Sequence, residues 1–258
     1  MILDEFLKQV VDRRASDGFA AVGSVPTFKV DGELTGHGDT ALDADDVLAI
    51  IKASMTTAQF EAYQSSCDAN YAIEHPELGR FRASAYVQRE QPGLVIRRIH
   101  HEIPNFDALG LPAQLKELSL MKRGLIMIVG ATGSGKSTTL ASMVDYRNRH
   151  RRDHIITVED PIEYVHQHQQ SIISQREVGV DTESFEVALK TALRQAPNVI
   201  MIGEVRDAET MKIALSYAET GHLCLCTLHA GGAKQALERI QSFFPEEHIR
   251  RLWMDLSI

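Results

Sequence analysis

Residues 124–138 read GLIMIVGATGSGKST, and this stretch limits the possible folds more than any other. Leu125 to Val129 is an unbroken apolar run, the pattern of a strand buried on both faces. Gly130, Gly133 and Gly135 follow, then Lys136, Ser137 and Thr138, which together fit G-x-x-x-x-G-K-[ST]. A helix-compatible segment, Ser137 to Arg149, comes next. Each part has a chemical use. Glycines let backbone N–H groups turn inward and approach phosphate oxygens. The helix start adds the positive end of its dipole. Lys136 brings a full charge to the β- and γ-phosphates, and the Ser137 hydroxyl suits Mg²⁺. A chance glycine-rich turn with a lysine would not require a strand before it and a helix after it. Gly130, Thr132, Gly133, Ser134, Gly135, Lys136, Ser137 and Thr138 are therefore the candidate phosphate-binding residues.

The rest of the chain supplies the frame. After the phosphate loop, strands are predicted at His154–Val158, Val199–Ile202 and Leu223–Thr227. Helices are predicted at Ser184–Gln195, Ala208–Glu219 and from Ala233. This alternation predicts an α/β fold with a parallel sheet covered by helices on both faces. Gln170 to Val178 reads as a small antiparallel addition. Residues 1–100 read instead as a small α+β unit, opening on an amphipathic helix in MILDEFLKQVVDRR. Short extended pieces follow at Ala20–Val22 and Thr27–Val30, with Asp31-Gly32 as a turn. Helices are predicted at Asp43–Met55 and from Thr56 to near Cys67. Strands are predicted at Ala69–His75, Arg80–Gln88 and Leu94–His100, with turns at Pro76–Gly79 and Gln91–Gly93. Residues 101–112, with Pro104 and Pro112, read as a linker, and 113–258 as the second domain.

A phosphate site needs acids to hold Mg²⁺ and to aim a water. Glu159, Asp160 and Glu163 follow one predicted strand, Glu204 follows another and His229 a third, while His222 precedes that third strand. Carboxyl ends of parallel strands form the rim where open α/β sheets bind ligands. An acid after a strand is ordinarily a cap or a solvated loop charge. Glu204 is distinguished by the apolar residues and the glycine before it. His229 alone reads as a structural histidine, and His166 and His168 as part of a polar loop. In the first unit Arg80 and Arg82 share a strand face, whereas Arg97 and Arg98 lie on opposite faces. Surface charge is the ordinary reading, and an arginine delivered to a γ-phosphate is its rival.

The chain has 258 residues, 44% of them hydrophobic, and a formal net charge of −8. That balance speaks against nucleic-acid binding through a general basic field. The cluster Arg147, Arg149, Arg151 and Arg152 reads as a solvated helix end. No apolar run reaches the ~18 residues of a membrane span, so no direct membrane insertion is expected. Three cysteines, two of them alternating as Cys224 and Cys226 on an apolar strand, suit buried thiols in a reducing cytosol.

GATGSGKST, TVEDPIEY, GEVRD and TGHLCLCTLH occur in that order. They resemble the Walker A, Asp-box, Walker B and His-box motifs of the secretion ATPase superfamily, the hexameric ATPases of type II secretion and type IV pili. Residues 1–100 resemble that family's PAS-like N-terminal domain. The chain begins directly at that domain. With Gln175-Arg176-Glu177-Val178, HQHQ and LRQAPNVI, this is most similar to the pilus-retraction (twitching motility) branch and its accessory ATPases. The resemblance implies a RecA-like P-loop core that binds ATP and Mg²⁺. It gives Glu163 the role of base for the attacking water. Ser137 and Glu204 would order Mg²⁺, and Lys136 would bind phosphate. His229, with His222 as a second candidate, would sense the γ-phosphate or support a subunit interface. Arg82 and Arg97 would reach the nucleotide from the N-terminal domain. The implied partners are further copies in a homo-hexamer, a second retraction ATPase, and a pilus platform protein at the cytoplasmic side of the inner membrane.

The chain departs from the pattern at Gly18-Phe19-Ala20, where the family has a leucine–histidine strand. It departs again at Asn198 in place of aspartate and at Cys226 in place of glycine. WMDLSI stops within a predicted helix and the family's AIR-type segment is missing, so a C-terminally incomplete chain is expected. The competing functions are an assembly or secretion ATPase, a non-catalytic nucleotide-binding accessory, and a small-molecule kinase. Glu163 and Glu204 argue against the second, and the N-terminal sheet and the His229 segment against the third.

Overall fold

The computed structural model describes residues 2–99 and 102–257. The chain divides into two compact units between residues 101 and 102.

In the first unit, α1 (Leu3–Asp12) places Phe6, Leu7 and Val10 on one buried stripe. Strands β1 (Asp17–Ala21), β2 (Thr27–Val30) and β3 (Glu33–Gly36) follow, then α2 (Ala44–Ser54) and α3 (Thr57–Ser66). Capping boxes start both later helices, Asp43 with Asp46 and Thr56 with Gln59. Strands β4 (Asp68–His75), β5 (Gly79–Gln88) and β6 (Gln91–Arg98) complete an antiparallel sheet in the order β3-β2-β1-β6-β5-β4. His100, the last residue of the predicted third strand, lies outside the described residues. The departure at Gly18 has a packing reason. A Cβ there would stand 2.9 Å from both the Phe6 ring and Val10 Cγ2, so only glycine lets α1 lie this close to β1.

One predicted turn is misplaced. Gln91–Gly93 belong to β6, and the hairpin turns at Arg89 and Glu90, both at positive φ. Gly93 serves a different need. It lies opposite Tyr86, and a Cβ would fall 2.6 Å from that ring.

The second unit contains α4 (Gln114–Ser119), β7 (Gly124–Gly130), α5 (Lys136–His150), β8 (His154–Glu159), β9 (Ile172–Glu177), α6 (Phe185–Ala192), β10 (Val199–Ile202), α7 (Ala208–Glu219), β11 (Leu223–His229), α8 (Ala233–Ser242) and α9 (Glu246–Leu256). Its sheet runs β7-β11-β10-β8-β9, parallel throughout. Alternate residues feed two cores. Val199, Met201, Leu223 and Leu225 meet Leu140, Met143 and Val144 of α5. Ile200, Ile202, Cys224 and Cys226 meet apolar residues of α6, α7 and α8. The helices thus cover both faces. Both thiols are buried, and burial pushes Cys226 up to about 12.

Three expectations are corrected here. β7 is an edge strand and is half-buried along its length, because only β11 flanks it among the described residues. β9 pairs with β8 in parallel, since residues 160–171 carry the chain back to the amino end of the sheet. Arg147 is buried, not solvated. Its guanidinium donates to Asp153 Oδ2 at 2.7 Å and to the carbonyls of Ser119 and Met121 at 2.8 and 2.6 Å. It ties α5 to the ends of α4 and β8. Residues 102–112 pack within this unit, with Phe106 buried beside Leu140 and Pro104 O accepting from Ser142 Oγ at 2.6 Å.

Candidate functional site

The site forms at the carboxyl ends of β7, β8, β10 and β11. Lys136, Ser137, Thr132 and Gly133 share one cleft there with Glu159, Asp160, Glu163, Glu204, Arg206 and His229. β7 delivers the chain to the rim. Gly133 and Gly135 then take φ of +77° and +87°, the left-handed region that bends the loop back over the strand. At Gly130 a Cβ would meet the Ser134 hydroxyl as that side chain now stands. α5 starts at Gly135 with no side-chain cap, so its first-turn N–H groups face the loop without a side-chain acceptor.

Lys136 is 8% exposed, and its ammonium donates to Ala131 O at 2.8 Å. It also lies 3.4 Å from His229 Nδ1. His229 Nε2 stands 3.5 Å from Glu204 Oε1. The other Glu204 oxygen accepts from Arg206 Nε at 2.7 Å, and Arg206 Nη1 reaches Asp160 at 3.0 Å. A line of polar contacts therefore runs across the cleft from Lys136 through His229, Glu204 and Arg206 to Asp160 in the loop after β8. Arg206 was not singled out in the sequence, although it stands in the quoted GEVRD motif. Its separation of two from Glu204 was the available signal.

Gly203 permits this assembly. A Cβ on it would meet Glu159 Cα at 3.2 Å and Val158 O at 3.4 Å, so the ends of β8 and β10 approach only because it is glycine. Val205 N donates to Thr227 O at 2.9 Å and the Thr227 hydroxyl to Gly203 O, fixing the Glu204 turn to β11. Across the cleft, Thr138 Oγ1 lies 3.0 Å from the Tyr164 hydroxyl, linking α5 to the Glu163 loop.

Glu159 is buried beneath this surface, and burial pushes its carboxyl up to about 7. Hydrogen bonds from Thr157 and Gln175 oppose that shift, and the Glu163 charge adds to it. Thr157 Oγ1 donates to Glu159 Oε1 at 2.6 Å. His166, read as part of a polar loop, is buried in the cleft wall, and its Nδ1 has no hydrogen-bond partner among the described residues. Desolvation lowers it to about 4, so it is neutral at ordinary pH. His168 stays exposed, its Nδ1 accepting from Ile173 N at 3.1 Å.

His222 does not join the site. It precedes β11 at the amino end, where its carbonyl accepts from Gly124 N, while His229 lies opposite Gly130 at the other end of the same pairing. The length of β11 separates it from the phosphate loop, which removes it as a γ-phosphate sensor within this unit.

In the first unit, Arg82 and Arg97 are direct cross-strand partners, so both stand on one sheet face. Asp17, opposite Arg97 on β1, accepts from its Nε at 2.7 Å.

A parallel sheet whose edge strand runs into a glycine-rich loop, with acids and a histidine at the neighbouring strand ends, defines a P-loop nucleotide-binding protein of the RecA-like α/β class. Residues 43–249 match the model of the type II/IV secretion system protein family. The chain belongs to that family, within its pilus-retraction ATPase branch. It is 51% identical over all 258 residues to the type IV pilus ATPase PilU of Pseudomonas aeruginosa, covering 68% of that protein. It is 39% identical over 247 residues to the type IV pilus retraction ATPase PilT of the same organism, covering 96% of this chain and 72% of the relative. The crystal structure of the pilus retraction motor PilT with bound ADP superposes with a TM-score of 0.94 at 41% identity. That match covers all of this chain and 75% of the PilT chain.

Proposed function

We propose that this chain is the ATP-hydrolysing subunit of a hexameric type IV pilus motor, and that its turnover drives pilus retraction and twitching motility. The observation that carries the reading is the convergence of Lys136, Glu163, Glu204 and His229 on one cleft at the strand ends.

ATP is the substrate. Its phosphates lie on the loop amides from Gly130 to Thr138, with Lys136 against the β- and γ-phosphates. Glu163, an exposed carboxylate on the cleft wall, accepts the hydrogen bond of the attacking water. The water oxygen bonds to the γ-phosphorus as its proton passes to the Glu163 carboxylate, the bond to the β-γ bridging oxygen breaks with that electron pair staying on ADP, and ADP and phosphate leave. Mg²⁺ fits the donor set: the Ser137 hydroxyl and the Glu204 carboxylate are hard oxygen donors in one cleft. No group of three or more His, Cys, Asp or Glu among the described residues could hold a metal alone, as expected of an ion that takes most of its ligands from phosphate and water. When bound, the ion neutralises charge developing on the phosphates. His229, between Lys136 and Glu204, reports γ-phosphate occupancy to both.

Arg82 and Arg97 supply the remaining charge from the first unit. Phosphoryl transfer is largely positioning and charge neutralisation, so arginines on a separate unit turn the chemical step into relative motion. That motion would act on a platform protein at the cytoplasmic face of the inner membrane, alone or in mixed assemblies with a second retraction ATPase. The described helices include none long and apolar enough to cross a membrane.

Lys136→Ala and Glu204→Ala are each expected to abolish ATP turnover in the purified protein. Unchanged turnover in either would defeat the site assignment. Native mass with and without ATP tests the hexamer, and a monomer in both conditions would remove it.

A further inference from the structure

Glu163 lies on the loop of residues 160–171, which joins two parallel strands without any helix. Side chains from β9 hold that loop. Gln175 Nε2 donates to Tyr164 O at 2.9 Å and to Glu159 Oε1 at 3.1 Å, and its Oε1 accepts from His166 N at 2.7 Å. Glu177, two residues on and therefore on the same strand face, is buried, and its Oε2 accepts from Ile162 N at 3.1 Å. The intervening Arg176 turns away and donates to Asp181 O. The fixed points bracket Glu163: Ile162 on one side, Tyr164 and His166 on the other.

We propose that Gln175 and Glu177 are positioning residues for hydrolysis, fixing the backbone on both sides of Glu163 and thereby where its carboxylate stands. This rests on the reading of Glu163 as the residue that polarises the water. A primary amide is suited to the task. It satisfies a carbonyl, an N–H and a carboxylate together, which neither a hydroxyl nor a carboxylate does with the same polarity. A flexible loop becomes a defined surface without being packed into the core, and a displacement of about 1 Å at such a group costs about a hundredfold in rate.

The test is a double-mutant cycle on the purified chain, reading kcat, melting temperature and affinity for a fluorescent ATP analogue. Gln175→Met keeps the length and removes all three hydrogen bonds. It is expected to lower kcat at least about tenfold while leaving nucleotide affinity within about threefold, the signature of a lost transition-state contact. In a Glu163→Gln background it should add almost nothing, because it acts through Glu163. Glu177→Gln keeps an acceptor for Ile162 N and should retain most of kcat, whereas Glu177→Leu should not. If Gln175→Met loses its cooperative melt, the Glu177 pair carries the same test. Full kcat in Gln175→Met or Glu177→Leu, or equal losses with and without Glu163, would overturn the positioning role and leave Glu163 as the base. Unchanged turnover in Glu163→Gln alone would remove the base and the positioning role together.

Discussion

Along β5 of the first sheet, Phe81, Ala83 and Ala85 are buried while the alternate residues Arg80, Arg82 and Ser84 are partly exposed. Along β10 of the second sheet, all four residues are buried. The antiparallel sheet has one face covered by helices, so charged side chains can stand along its strands. The parallel sheet is covered on both faces, and charge is tolerated only where its strands end. The two sheets therefore present charged groups differently. The first offers an arginine pair spread across a sheet face, and the second a rim of loops, each fixed in its own way. The phosphate loop is fixed by glycine geometry. The Glu163 loop is fixed by side chains from β9.

The largest effect that would break this contrast is functional. Arg82→Ala and Arg97→Ala are expected to lower kcat at least about tenfold, as removal of a phosphate-facing arginine does, with the melting temperature little moved in Arg82→Ala and lowered in Arg97→Ala, where buried Asp17 loses its cation. Asp17 should then lose its partner only in Arg97→Ala. Stopped-flow phosphate release and thermal melts on both variants check this. Full turnover would leave the pair as ordinary surface charge, and the sheet face would need another explanation.

A smaller effect concerns stability. Ile200 is fully buried at the centre of the parallel sheet, with β8 and β11 on either side. Ile200→Ala is expected to cost about 2–5 kcal/mol, the range for an isoleucine truncated in a core that cannot collapse. Val95, on the open face of β6, is only half-buried, and Val95→Ala should cost under about 1.5 kcal/mol. Urea titrations of both variants measure the difference. Equal losses would mean that the open face of the first sheet is as tightly packed as the core of the second.

The unequal burial also explains what could be read in advance. Apolar runs at Val199–Ile202 and Leu223–Thr227, and the capping residues Asp43 and Thr56, expose their structural roles locally, and their elements appear where expected. The phosphate loop was legible because its glycines are needed for its own shape. Residues whose roles depend on distant partners were not. Arg147 looked like any helix-end cation, yet its partners lie on α4 and ahead of β8. Gly93 looked like a turn residue because nothing near it in sequence marks the Tyr86 ring. Nothing in Ile172–Glu177 itself distinguishes a parallel from an antiparallel partner. His222 and His229 flank one strand, and only the register of β7 against β11 shows which end carries the phosphate loop.

The finest test lies inside the Glu163 loop, where two buried ionisable groups are joined through Gln175. Its amide reaches the Glu159 carboxylate and the His166 backbone N–H. Burial raises Glu159 from 4.5 to about 7 and lowers His166 from 6.5 to about 4. Between about pH 4.5 and 6.5 the folded protein holds a proton on Glu159 that the unfolded chain has released, so this group's contribution to stability falls as pH rises. Over the same window the unfolded chain holds a proton on His166 that the folded protein lacks, so that contribution rises with pH. The two slopes oppose each other. Removing one should expose the other. Relative to the parent, Glu159→Gln should gain stability as pH rises from 5 to 7. His166→Leu should gain relative to the parent as pH falls from 6.5 towards 4.5. Urea midpoints at pH 5, 6 and 7 read both differences, each amounting to about 1.4 kcal/mol per pH unit at most. Curves parallel to the parent for both variants would mean that neither group changes protonation on unfolding, and that water reaches beneath the Glu163 loop. The rim of the parallel sheet would then be as open as the arginine face of the first unit.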